Sequence, residues 1–396
     1  MHIHFFEDQL TSRFQPLNLT RPTDDLRTGI LTIRDKWLKT LKTVSYSRNL
    51  KSYMQKVFKS GENTTGNAVL VINSRYLPDQ KTCDAISQLT DRQALTDSQY
   101  LIAAVINSDE LELFSSNKAD LNSFSTNEWS HARSIENIWD LLVHNEDEIV
   151  NDIKILNPHS ADPKNYPEDL IIKGKENCFI GNNVSIEPGV IIMAEEGPVY
   201  IGDDATIEAG AILKGPVSIG AGSVVKMKAR IYGGTSIGPV CKVAGEISGS
   251  IFHSYSNKAH EGYVGDSILG QWCNLGADTN TSNLKNNYSP VRIKDWVTGE
   301  DTETGQQFLG TIMGDHSKTA INTMLNTGTI CGVSSNIFTS GFPPKFIPSF
   351  SWLGDDGIQT YLPKKALEAM EAMMKRRKIN LSEDYTSMIM HLFENR

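Results

Sequence analysis

The chain has 396 residues, with 38 Lys and Arg against 47 Asp and Glu and a formal net charge of −9 at pH 7. That length gives room for two or three domains, and the acidic balance argues against a nucleic-acid surface as its main business. Its five cysteines (Cys83, Cys178, Cys241, Cys273, Cys331) form no CxxC pair, which points to neither a zinc site nor a disulfide framework and fits a reducing cytoplasm.

Met1 to Asp8 lacks a basic segment followed by an apolar stretch, and no apolar run of about 18 residues occurs, so a soluble, unexported protein is expected. Ile3 to Phe6, Ala68 to Ile72 and Leu101 to Ile106 read as short buried strands. Ile86, Leu89 and Leu95 could share one face of a short helix between the second and third. Strands alternating with helices indicate an α/β domain with a parallel sheet over residues 1–155. A linking helix closes it, with Ile138, Leu141, Leu142, Ile149 and Ile153 at helical spacing.

From Ile180 the pattern changes. An aliphatic residue returns at every sixth position: Ile180, Ile186, Ile192, then, after an insertion of three, Ile201, Ile207, Leu213, Ile219, Val225, Ile231, Ile237 and Val243. A period of six fits neither a helix nor an ordinary strand. It fits a triangular solenoid of three short sides per coil, with the aliphatics stacked inward and Gly, Asn or Asp at the corners. This is the hexapeptide repeat of left-handed parallel β-helices. It blurs after Gly249 and returns at Met313, Thr319, Leu325, Cys331 and Ile337. A β-helix is therefore expected over residues 170–342, with a polar loop leaving the stack from about Leu284 to Gly310. In the last segment, 360–396, Pro363 starts a helix with Ala366, Met370, Met373 and Met374 on one face, read as a packing stripe.

The segment from Lys258-Ala-His-Glu-Gly-Tyr-Val-Gly-Asp266 through Asn274-Leu-Gly-Ala-Asp-Thr279 to Asn283 resembles the acetyltransferase half of the bifunctional GlmU family, which joins glucosamine-1-phosphate acetyltransferase to N-acetylglucosamine-1-phosphate uridyltransferase. That family reads Lys-Ala-Gly-His, two residues, Tyr, then Leu-Gly-Asp, with one Asn before Ile-Gly-Ala-Gly-Thr and another beyond. The resemblance implies that His260 is the general base, that Tyr263 and Asn274 contact the sugar, that Ala277 lies along coenzyme A, and that Asn283 completes the site. Glu246 is a candidate to orient the imidazole or hold the sugar, and Arg230 aligns with a family arginine. An imidazole suits the step, since attack of an amine on a thioester needs a proton taken near neutral pH. Because the hexads from 231 to 243 are regular, residue 248 should stand one coil away from Arg230, about 5 Å off. Ser248 and Ser289 stand where the family has lysines, with Lys285 and Arg292 near the second, and Asp278 replaces a glycine.

The N-terminal segment from Phe6 through Arg13, Pro16-Leu17 and Arg21-Pro22 looks like the opening signature of sugar-1-phosphate nucleotidyltransferases. Gln9 and Thr11 replace its glycines, and Asn73-Ser74-Arg75 ends the strand that carries a metal-binding aspartate in that family. The resemblance implies a diverged nucleotidyltransferase-like domain in which Arg13 meets the nucleotide and Mg²⁺ could assist. The expected whole is a cytoplasmic homotrimeric transferase that passes an acetyl group from acetyl-CoA to an amino-sugar phosphate for nucleotide-sugar or cell-envelope precursor synthesis. Two alternatives stand beside it. One is nucleotidyl transfer from a nucleoside triphosphate as the main activity. The other is a metal-dependent enzyme of the γ-carbonic anhydrase type using His253, His260 and His316.

Overall fold

The computed structural model describes residues 2–59, 61, 68–111, 114, 121–159 and 166–396. The chain divides into two compact units, Met1–Leu26 with Leu31–Ile138, and Arg27–Ile30 with Trp139–Arg396.

The first unit is built on a sheet of β1 (His2–Phe6), β2 (Tyr46–Arg48), β3 (Ala68–Asn73), β5 (Gln93–Asp97), β6 (Tyr100–Asn107) and β7 (Ser125–Glu128), in the order β2-β1-β3-β6-β5-β7. A small pair, β4 (Tyr76–Leu77) and β8 (Arg133–Ser134), lies outside it. Helix α1 (Ile33–Thr40) is capped by Thr32 and helix α2 (Gln80–Ser87) by Asp79, each side chain accepting a first-turn N–H. The sheet is mixed, not parallel. β1 pairs parallel with β2 and β3, but β6 runs antiparallel to both β3 and β5. The cause is local: Ser98, at φ +53°, lets the chain reverse between β5 and β6 in a tight hairpin. Leu95 accordingly lies on a strand rather than sharing a helical face with Ile86.

The second unit is the left-handed parallel β-helix. One face stacks nine strands in parallel, and the inward column runs Ile180, Ile201, Ile219, Ile237, Phe252, Leu269, Met313, Cys331 and Ile347. Most of these side chains are fully buried, and each such side chain contributes about 1.5–3 kcal/mol. The stack continues past residue 342 to Ser351–Gly354, which pairs with Asn336–Ile337. That last coil was hidden because its spacing contracts, Ile347 and Leu353 each following their counterparts by 16 residues instead of 18. The loop expected near 284–310 leaves the stack as an antiparallel hairpin, Arg292–Lys294 with Asp301–Glu303.

A corner column of positive φ recurs three residues after each inward residue: Asn183, Asp204, Gly222, Val240, Tyr255, Trp272, His316, Ser334 and Phe350. Left-handed backbone is costly for bulky residues, and stacking offsets the cost here. The Tyr255 and Trp272 rings lie 4.3 Å apart at 13°, and Trp272 stacks on His316 at 6.2 Å.

Helix α3 (Asn145–Leu156) belongs to the second unit. Asn145 accepts from Gly29 N (2.6 Å) and Ser236 Oγ (3.0 Å) and donates to Gly234 O (2.6 Å). After the solenoid come two helices where one was expected. α4 (Pro363–Lys375) buries Ala366, Met370 and Met374, and α5 (Glu383–Glu394) reaches the corner column through Tyr385 on His316 (2.8 Å) and Phe393 on Phe350.

Candidate active site

Two outward columns of the solenoid turn polar at the same coils. On one face the register runs Ile171, Ile191, Ile212, then Arg230, Glu246, Tyr263. On the next face it runs Lys242, Asn257, Asn274, Lys318. The corner between them, residues 259–262, carries His260.

Arg230 pairs in register with Glu246, not with residue 248. The reason is the corner. Four residues separate Val225 from Arg230, whereas only Ala244 and Gly245 separate Val243 from Glu246, and Gly245 at φ +73° makes that two-residue turn possible. The Arg230 guanidinium lies 3.6 Å from Glu246 and 3.5 Å from Glu261. All three side chains are substantially exposed, so the pairs add little stability and leave the charges open to a ligand. Glu246 therefore faces Arg230, and it makes no hydrogen bond to the His260 imidazole, against the expectation that it orients the ring. Tyr263 Oη accepts from Asn283 Nδ2 at 3.1 Å, and the same nitrogen donates to Asp266 at 2.5 Å.

Lys258 holds the corner itself. It is buried, its Nζ donates to His260 O (2.7 Å) and to Glu261 O, and burial lowers its ammonium to about 8. His260 is left exposed at the tip.

The second face opens into a cleft of about 670 Å³. His260, Asn274 and Ala277 line its floor, and Ala369, Ala372 and Met373 of α4 form its wall. Lys242, Lys318, Arg376 and Arg377 also line it. Burial and the neighbouring Arg377 hold Lys242 below the usual lysine range, and burial brings Lys318 to about 8. Such crowding of cations is relieved by a polyanion. Arg377 is fixed by donating to Asn257 Oδ1 at 2.8 Å.

Of the residues singled out on the sequence, the structure brings His260, Asn274 and Ala277 to the cleft and gathers Arg230, Glu246, Tyr263 and Asn283 on the adjoining face, with His260 between. Asn274 is thus on the opposite side of the corner from Tyr263. The four cations were missed, and Met373, read as part of the packing stripe, lines the cleft while only Ala366, Met370 and Met374 are buried. A signal existed: Lys242 and Lys318 each precede an inward residue and so point outward, and Arg376-Arg377 follow the amphipathic helix. Lys285 reaches Ser289 Oγ at 3.4 Å, which carries an ammonium to the position that lacks a lysine. His253 and His316 do not join His260. His253 lies against Ser254 and Gln271, and His316 against Tyr385.

In the first unit Arg13 is exposed on the 3-10 turn Gln9–Phe14. Arg21, nearby in sequence, is buried and pairs with Asp25 at 3.5 Å. At the end of β3, Asn73 donates to Asp8 at 2.9 Å and the buried Arg75 guanidinium meets the same carboxylate at 2.6 Å, between the rings of Tyr76 and Tyr100. An internal cation already neutralises the carboxylate there. This donor set does not fit Mg²⁺, which takes carboxylate and water oxygens free of a competing cation.

The molecule thus joins an α/β unit to a left-handed hexapeptide β-helix. The sugar nucleotidyl transferase family model matches residues 3–160. The chain is also similar to bifunctional GlmU proteins. It is 30% identical over 174 residues to that of Synechococcus elongatus, covering 43% of this chain and 33% of the relative. It is 31% identical over 201 residues to that of Methanococcus maripaludis, 45% of each, and 34% identical over 163 residues to that of Methanocaldococcus jannaschii, 41% and 36%. The GlmU-like resemblance read from the sequence therefore holds, although the chain spans only a third to under half the length of these relatives. A UDP-N-acetylglucosamine acyltransferase from Campylobacter jejuni aligns over 58% of this chain and 96% of its own, at 14% identity and a TM-score of 0.27, too loosely to carry an argument. Among the described residues no helix is long and apolar enough to cross a membrane.

Proposed function

We propose that the β-helix is an acetyl-CoA-dependent N-acetyltransferase for an amino-sugar phosphate, with a diverged sugar-1-phosphate nucleotidyltransferase domain before it. The position of His260 carries this reading, at the corner between a cation-lined cleft and a polar column. An acyl donor ending in phosphates suits Lys242, Lys318, Arg376 and Arg377. A sugar phosphate suits Arg230, Tyr263 and Asn283 across the corner. The amine attacks the thioester carbonyl, His260 accepts the proton the nitrogen sheds, and the C–S bond breaks to release the thiol and an amide. Lys258 keeps His260 at the corner tip throughout. Asn274 and Ala277 border the donor.

In the N-terminal domain Arg75 stands where a metal ion would be expected, so no metal-assisted step is assigned to it. A homotrimer and a cytoplasmic location are part of the same proposal. Incubating the protein with acetyl-CoA and a panel of amino-sugar 1-phosphates, and following thiol release and product mass, tests the central activity. Acetylation of at least one amine is expected. Turnover only with nucleoside triphosphates, releasing pyrophosphate, would reverse the assignment in favour of the first domain.

A further inference from the structure

Asp266 occupies a corner column that the two preceding coils fill with glycine. Gly234 and Gly249 lie at φ +70° and +56°, and Asp266 itself at φ +42°. Aspartate is tolerated at such angles, yet a side chain there needs room. Gly249 supplies it, since a Cβ on Gly249 would lie 2.5 Å from Asp266 Oδ1. Next to it, a Cβ on Gly265 would lie 2.4 Å from Tyr263 Oη and 2.7 Å from Asn283 Nδ2. Two glycines thus seat three polar side chains in one wall. Asn283 Nδ2 donates to Asp266 Oδ2 at 2.5 Å and to Tyr263 Oη at 3.1 Å.

The chemistry of that chain is directional. An ionised carboxylate only accepts, so it holds the Asn283 amide with its nitrogen inward and its Oδ1 turned away. Tyr263 Oη accepts from that nitrogen and keeps its own O–H to donate. Among the described residues neither Asn283 Oδ1 nor the Tyr263 O–H has a partner in the chain. We infer that Asp266 is a positioning residue. It fixes the Asn283 carboxamide so that the site offers one acceptor and one donor, a pattern that selects a sugar presenting an N–H or O–H beside a hydrogen-bond acceptor. This rests on the acetyltransferase reading and specifies how its acceptor is chosen.

The test is a double-mutant cycle on the full chain, reading kcat and KM for an amino-sugar phosphate and for acetyl-CoA. Asp266→Asn keeps the shape and tolerates the backbone, and Asp266→Gly restores the residue of the neighbouring coils, so at least one of the two variants folds. Either is expected to lower kcat/KM for the sugar about 10- to 100-fold while KM for acetyl-CoA holds. Asn283→Ala should lose as much, and the double variant no more than Asn283→Ala alone. Losses that multiply in the double variant, or a wild-type kcat/KM in both Asp266 variants, overturn the role of Asp266 alone. Failure of the unaltered protein to acetylate any amino sugar overturns the acetyltransferase reading, and this inference with it.

Discussion

His4 lies mid-strand in β1, buried, with Nδ1 2.8 Å from Ser47 Oγ and no partner for Nε2 among the described residues. Burial first, then the nearby His2, lowers its pKa from 6.5 to about 4. The folded state therefore refuses a proton that the unfolded chain accepts, so the stability contributed by neutral His4 is present above pH 6.5 and lost as pH falls toward 4. The loss amounts to about 3 kcal/mol. Asp24 works in the opposite sense: burial raises it to about 6, so its contribution is present below its unfolded value near 3.8 and lost as pH rises through 6. His4→Asn keeps an Nδ1-like group without the titration, and its stability relative to the parent should rise by about 3 kcal/mol between pH 7 and pH 4. Denaturant melts at the two pH values measure it, and a constant difference would contradict the assignment. None of this was legible in the sequence, where His4 is one histidine in a short apolar run. His260 stood out as a candidate because Tyr263, Asn274, Ala277 and Asn283 follow it at the spacing of the family it resembles.

At the scale of elements, the hexad pattern disclosed the solenoid because each side of a coil repeats one inward position. It could not disclose where a coil shortens. The loss of two residues at the Ala244-Gly245 corner moves Glu246 beside Arg230 and leaves Ser248 out of register. Helix α4 shows a second limit. Its Met stripe announced packing, and Met370 and Met374 do pack, but the opposite side of the same helix walls the cleft with Ala369, Ala372 and Met373. The small side chains of Ala369 and Ala372 on that side leave space for the cleft instead of filling a core. Arg376→Ala with Arg377→Ala should raise KM for acetyl-CoA about tenfold, weaken the salt dependence of that KM while Lys242 and Lys318 remain, and leave KM for the amino sugar unchanged. An equal change in both KM values would mean that the arginines hold the helix rather than the donor.

For the whole molecule, the two units differ in how far their chemistry survives. The α/β unit keeps the frame matched by the sugar nucleotidyl transferase family, yet Arg75 is buried at the strand end against Asp8. The β-helix carries an exposed histidine at a corner, a polar column and a cation-lined cleft. For the proposed homotrimer, a closed cyclic assembly, light scattering at micromolar concentration is expected to give three times the 43.9 kDa chain mass; a monomer would count against the assembly. The most direct measurement is acetyl transfer by the purified protein beside its His260→Ala variant, with thermal melting of both. Turnover should fall by about 10²- to 10⁴-fold, the usual share of a general base, with melting unchanged because His260 is exposed at a corner held by Lys258. Undiminished turnover in the variant would contradict it.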